Sequence, residues 1–369
     1  MRASLVIASH NEGDLLWQTV RSCVETLDGL DAEIVVADDA SEDGSVDELL
    51  ARYPDVRVVV GPGRRGVSPT KDLAARSSRG DVLVFLDAHC KPEGGALEAL
   101  VRDVEAWDGA AVVTPRVASL DPERWECRHD RVGYGFWTDL EWFRSGWLSR
   151  DQLVKVPGPD GKTYLRQPAL IGCCLAVSRD LYEALGGFDA GMRSHGSEDV
   201  DFGLKAWLTG RPIVLDTDAL IGHRFRKQFV TYSVPTQHAL LNQLRMARKQ
   251  FGDEAWDDWT DRCRAKLPAP LWKLAMKLFE DDRASVERER DHLMSNRLRD
   301  EYWYAAEFGL TWPLTLPGSP YPPPEHPTVP VRISLPSPGM SEDPIDSPEP
   351  PGLPTLPPPP DEPGKKSYY

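Results

Sequence analysis

The chain has 369 residues, 41% of them hydrophobic, and 58 acidic against 43 basic side chains give it a net charge of −15. This supports a sizeable core over one or two domains. The acidic excess argues against a nucleic-acid partner or an anionic membrane surface, both of which draw on clustered Lys and Arg.

Residues 3 to about 117 alternate between two periodicities. Leu5-Val6-Ile7-Ala8 reads as a strand, and 12–28 as an amphipathic helix through Leu15, Leu16, Val20, Cys23, Val24 and Leu27. Strands follow at 34–37, 56–60, 82–86 and 111–114, with helices at 45–53, 69–79 and 96–105 between them. Strands separated by helices of this length predict βαβ units: an α/β, Rossmann-like, mostly parallel sheet flanked by helices. The first turn, Ala8-Ser9-His10-Asn11-Glu12, has no GxGxxG, so a dinucleotide is not expected.

Residues 118–165 read as a long, irregular, aromatic-rich loop of the kind that carries function. A strand is expected at 170–177, a helix at 179–185 stopped by Gly186-Gly187, a helix at 199–209, and two short strands at 213–215 and 220–221. From 234 to about 308, helical periodicity, alternating charge and four tryptophans predict a helical extension. It would cover the acceptor side of a site or form a homodimer contact. Twenty of the 33 prolines fall after residue 310. That tail should be polyproline II or disordered, and an SH3- or WW-like partner is an alternative to a plain solvated tail. The expected division is therefore 1–233, 234–310 and 311–369.

No run approaches the ~20 consecutive apolar residues of a membrane span. The N-terminus enters a strand without a charged region, apolar stretch and cleavage site. Six cysteines without a CxxC pair are expected to be reduced thiols rather than a zinc site. Together these point to a cytoplasmic location and no integral membrane segment.

Five short segments carry chemistry. Asp87-Ala88-His89 ends the apolar run Val82–Leu86. Residues i and i+2 share a side of a strand, so the carboxylate and imidazole can converge in the crevice where open α/β sheets bind ligands. That pair suits a first-row divalent ion carrying a diphosphate, although a strand ending in a polar turn explains it equally. Asp38-Asp39 ends the second strand, where a carboxylate can accept the N3–H of uracil or simply cap a turn. Gly63-Arg64-Arg65-Gly66 and Lys71 can neutralise phosphate, as can any basic surface loop. Glu198-Asp199 follow Gly196-Ser197 at a helix N-terminus, whose dipole is expected to lower their pKa and keep a base ionised. His223 lies between Gly222 and Arg224, with Arg226 two residues on, where it is a third metal ligand or an ordinary polar residue.

In order and spacing these segments resemble the nucleotide-sugar-dependent glycosyltransferases of GT-A fold. The chain looks like a family 2 member, similar above all to the catalytic domain of the polypeptide N-acetylgalactosaminyltransferases. The matching stretches include Ser9–Glu12, Val36–Ser41, Gly80–Cys90, Leu185–Asp189, Gly191-Met192, Gly196–Asp199 and Gly222–Gln228. The resemblance covers roughly residues 3–235, weakens towards 260 and is absent from the tail. It implies that Asp39 holds the uracil, with the backbone around Ala8 and Ser9 beside it, and that Arg64 and Lys71 line the uridine and phosphate side. Asp87, His89 and His223 would bind the metal, Mn2+ or Mg2+, with Ala88 among the donor-side positions. Arg226, with Tyr232, would reach the diphosphate, and the Gly172-Cys173 turn would lie under sugar and acceptor.

Three departures matter. The animal enzymes, which retain anomeric configuration, have Glu-Asn where this chain has Glu198-Asp199. Family 2 enzymes generally invert, with the Asp of a Glu-Asp pair as base. His195 stands where that family has tryptophan, so its GalNAc preference does not carry over, and Pro69 interrupts a stretch that is basic helix in the family. The expected function is metal-dependent transfer of a sugar from a UDP-sugar to a hydroxyl or other nucleophile of a peptide, metabolite or glycan. It would be inverting, with Asp199 as base beside Glu198. The alternatives are a retaining GalNAc-transferase-like enzyme, a non-catalytic nucleotide-sugar-binding module, and a sugar-1-phosphate nucleotidyltransferase, for which Ala8–Gly13 lacks the Gly-rich loop.

Overall fold

A computed structural model describes residues 2–27, 29–226 and 233–313. Its first half is β1 (Ala3–Ser9), α1 (Asp14–Glu25), β2 (Ala32–Asp38), α2 (Ser45–Arg52), β3 (Arg57–Val60), α3 (Val67–Ser77), β4 (Val82–Asp87), β5 (Cys90–Pro92), α4 (Ala96–Ala106) and β6 (Val112–Asp121). Then come β7 (Glu126–Gly133), β8 (Gly135–Thr138), β9 (Ser145–Leu148), β10 (Val154–Pro157), β11 (Thr163–Arg166), β12 (Cys174–Ser178), α5 (Arg179–Ala184), α6 (Glu198–Leu208) and β13 (Ile213–His223). The helices α7 (Thr236–Gln250), α8 (Asp253–Lys266), α9 (Ala269–Asn296) and α10 (Glu301–Glu307) complete it.

The main sheet runs β10-β11-β13-β6-β12-β4-β1-β2-β3. β1, β2, β3 and β4 are mutually parallel, as are β6 and β13, while β12 runs antiparallel between these two blocks. Six strands thus point their carboxyl ends the same way, and the candidate residues gather there. β4 is apolar from Val82 to Leu86 because both its faces are covered there. Leu83 and Phe85 enter the core with α5, α6 and the C-terminal helices, whereas Val82, Val84 and Leu86 pack with α1 and α4.

The helical extension shares that first core. Leu244, Phe251, Trp259, Phe279 and Trp303 are buried in one cluster with Phe188 and Trp207. An ionic network ties the two parts: Asp189 accepts from Arg245 at 2.7 and 2.9 Å and from Lys249 at 2.7 Å, all fully buried. Gly191 is needed at this seam, because a Cβ there would collide with the Arg245 guanidinium.

Four sequence expectations change. Residues 118–165 are not an irregular loop: β6 continues to Asp121, and β7 to β11 follow as short strands. Several are exposed on at least one face, as the polar pattern of β7 shows, so they lack the apolar run that marks a buried strand. The two short strands at 213–215 and 220–221 are one strand, β13, with an irregularity between Asp216 and Leu220 that reads in sequence as a break. α3 starts at Val67, placing Pro69 in the first turn, where a missing N–H costs nothing. Trp312, read as tail, is buried against Phe251 and donates to Asp258. Residues 314–369 lie outside the described residues.

Candidate functional site

The carboxyl ends of β4 and β13 build the centre. β5 pairs antiparallel with β13 so that His223 lies opposite Cys90, next to His89. Arg224 N–H also donates to the His89 carbonyl at 3.2 Å. The two imidazoles approach with ring centroids 4.9 Å apart. His223 Nε2 is 3.4 Å from Asp87 Oδ2, and one ligand atom from each of Asp87, His89 and His223 lies within 4.8 Å of the others. Neither ring nitrogen of His223 has a hydrogen-bond partner although both are buried. Burial, with His89 and Arg226 nearby, pushes this imidazole down to about 4 against the pull of Asp87, so it is neutral at neutral pH. Two nearby imidazoles, a carboxylate and unpartnered buried nitrogens fit a first-row divalent cation. Burial works to raise Asp87, but Lys71, His223 and His89 together hold it well below the usual carboxylate range.

Behind the triad lies a second carboxylate group. Lys71 is 1% exposed; its Nζ is 3.3 Å from Asp87 Oδ1, 3.3 Å from Glu198 Oε1 and 2.8 Å from the Gly172 carbonyl. It therefore bridges two carboxylates within the protein. Gly172 and Cys173 sit just before β12: Cys173 O accepts from Asp87 N–H at 3.0 Å, and Gly172 N–H donates to Asp199 Oδ2 at 2.9 Å. The buried Glu198 leaves Oε2 without a partner. Asp199 is half-buried, and its pKa does not fall as a helix dipole alone predicts. Burial first, then the adjacent Glu198, push it up to about 7 against Lys71 and the backbone N–H groups of Val200 and Gly172. Desolvation and a like charge outweigh the dipole here.

On the β1–β2 side, Ala8 lies beside Asp87 in register, and buried Ala88 links Asp87 to His89. Both Asp39 oxygens accept backbone N–H groups, from Arg65 at 2.6 Å and Gly66 at 2.8 Å. Asp39 thus organises the 61–66 loop. Arg64 is exposed and, with Arg65, Arg193, Ser194 and His238, lines a cavity of about 510 Å3. Arg226 is buried to a tenth of its exposure in an ion pair with Glu12. Tyr232 lies outside the described residues.

Sequence reasoning missed Glu12 as a participant. It holds both Arg226 and, at 3.2 Å, His89 Nδ1. The available signal was its place in Ser9-His10-Asn11-Glu12, at the carboxyl end of a central strand. His195, half-buried near Glu198 and Asp87, was noted only as a departure; desolvation lowers its pKa.

Residues 4–186 match the family described as Glycosyl transferase family 2. The chain is 31% identical over 271 residues to polypeptide N-acetylgalactosaminyltransferase 3 of Taeniopygia guttata, across 69% of this chain and 42% of that protein. It is 32% identical over 267 residues to polypeptide N-acetylgalactosaminyltransferase 12 of Homo sapiens, across 70% and 44%. It thus spans less than half the length of these relatives. Among solved structures, a crystal structure of GalNAc-T7 with UDP, GalNAc and Mn2+ resembles it with a TM-score of 0.64 and 22% identity, over 84% of this chain and 56% of that one. Among the described residues no helix is long and apolar enough to cross a membrane.

Proposed function

This chain belongs to glycosyl transferase family 2 through residues 4–186, and on that premise we propose that it moves a sugar from a UDP-sugar to an acceptor nucleophile. Asp87, His89 and His223 would hold the divalent cation, Mn2+ or Mg2+. The observation that carries this reading is the convergence of those three side chains beside the buried Glu198 and its half-buried neighbour Asp199. When bound, the cation would supply Lewis-acid charge to the departing diphosphate.

The chain's own residues would do the rest. Arg226 would add a guanidinium on the diphosphate side, where preorganised charge counts most. Asp39, Ala8 and Arg64 would flank the uridine, with Ala88 and the Gly172-Cys173 turn nearer the sugar. Lys71 would act from beneath, holding Asp87 and Glu198 in fixed relation. Asp199 would accept the acceptor proton: a pKa of about 7 matches a general base to neutral pH. The N–H groups of Gly172 and Val200 orient its oxygens. A base on the face opposite the leaving group gives inversion, and Glu198 keeps that base from being too weak. A peptide, metabolite or glycan acceptor, a second copy across α7–α10, a partner for the tail and residence in the cytoplasm are parts of this proposal that rest on sequence alone.

The test is turnover of UDP-Glc, UDP-GlcNAc, UDP-Gal and UDP-GalNAc with Mn2+. At least one should be hydrolysed or transferred, and EDTA should abolish it. Tight binding of a UDP-sugar without turnover would favour the binding-module alternative. The anomeric configuration of the first-formed product, read by NMR, separates inversion from retention.

A further inference from the structure

We propose that Glu12 is a positioning residue that locks the tautomer of His89 and fixes Arg226 beside it, so that the cation side and the diphosphate side of the site form one unit. This rests on the metal reading above.

Glu12 lies in the turn between β1 and α1, 77 residues from His89 and 214 from Arg226. It is 9% exposed, and a buried carboxylate is stable only when donors satisfy it. Oε2 meets both donors: His89 Nδ1 at 3.2 Å and Arg226 Nη2, which itself lies 3.5 Å from that nitrogen. With the Nδ1 proton directed at Glu12, Nε2 is left as the nitrogen with a free lone pair for the cation. A carboxylate behind a ligating imidazole in this way sets ring orientation and raises ligand basicity. The same oxygen holds the Arg226 guanidinium next to that imidazole. One side chain at the end of the first strand therefore aligns groups from the ends of β4 and β13.

Mn2+ titration of the full chain by EPR tests this, comparing wild type, Glu12→Gln, Glu12→Asp and His223→Ala, with Tm measured alongside. Glu12→Gln should weaken Mn2+ by about 10–100-fold. Glu12→Asp, a carboxylate one methylene shorter, should fall between it and wild type. Arg226→Met, which removes the other partner, should weaken Mn2+ less than Glu12→Gln does. Wild-type affinity in folded Glu12→Gln, with His223→Ala impaired, would overturn the role of Glu12 and leave the metal reading standing. Absence of Mn2+ binding in wild type would overturn both. Should Glu12→Gln not fold, 15N NMR of the wild-type imidazoles decides: His89 protonated at Nδ1 is the expected result, and protonation at Nε2 overturns it.

Discussion

The charge cluster around Asp189 and the one around Asp87 are built from the same kinds of side chain, yet they differ in completeness. At the first, Asp189 and Asp201 share Arg245, Lys249, Lys205 and Gln250, and every carboxylate oxygen has a donor within 3.0 Å. At the second, both His223 nitrogens and Glu198 Oε2 are buried without hydrogen-bond partners. Glu12, Asp87, Glu198 and Asp199 there outnumber Lys71 and Arg226. A closed network holds the helical extension to the sheet. An open one with surplus negative charge is what the proposed cation site requires.

Mutations should separate the two clusters, and the largest effect belongs to the open one. His223→Ala should abolish metal-dependent turnover while the fold survives, because β13 pairs with β5 through backbone that alanine keeps; turnover with Mn2+ and circular dichroism check both halves. Asp199→Asn should lower kcat by about 10^2–10^4-fold with donor binding kept, as removal of a general base does. Unchanged kcat would remove Asp199 from the mechanism.

At the closed cluster the loss should appear in stability. Asp189→Ala strands Arg245 and Lys249 as buried charges lacking their main partner. A cost of about 3–5 kcal/mol in denaturant unfolding is expected, which sets the two clusters apart in a single assay.

A smaller effect comes from pH. Asp199 is raised from 3.8 to about 7. Its favourable contribution to folding is full below the ordinary aspartate value and is lost as pH rises through about 7. Activity has the opposite sign: it needs the ionised form and should rise about tenfold per pH unit up to that value. Asp199→Asn should remove this part of the pH dependence of stability, leaving Tm above pH 7 higher than in wild type.

Much of the fold was legible because its central strands are buried on both faces: Val82–Leu86 and Leu5–Ala8 are unbroken apolar runs, and the helices between them are amphipathic. The strands of 118–165 were not, since β7 carries Glu126, Arg128, His129 and Asp130 at its surface. Asp87 and His89 could be paired by strand alternation alone. His223 needed a family resemblance, because nothing local in sequence says that β13 pairs with Cys90–Pro92. The role of Lys71 was read from its charge, but its burial between Asp87 and Glu198 is a tertiary fact. Likewise, the dipole argument for Asp199 used the one local influence visible in sequence, and the larger ones, burial and Glu198 brought close to Lys71 and Gly172, come from packing.

The central claim is that an aspartate and two histidines far apart in the chain jointly hold a divalent cation. Calorimetric titration of Mn2+ into wild type and His223→Ala tests it most directly. The account predicts one site per chain in wild type and a large loss of affinity in a variant that remains folded. Equal binding by both proteins would contradict it.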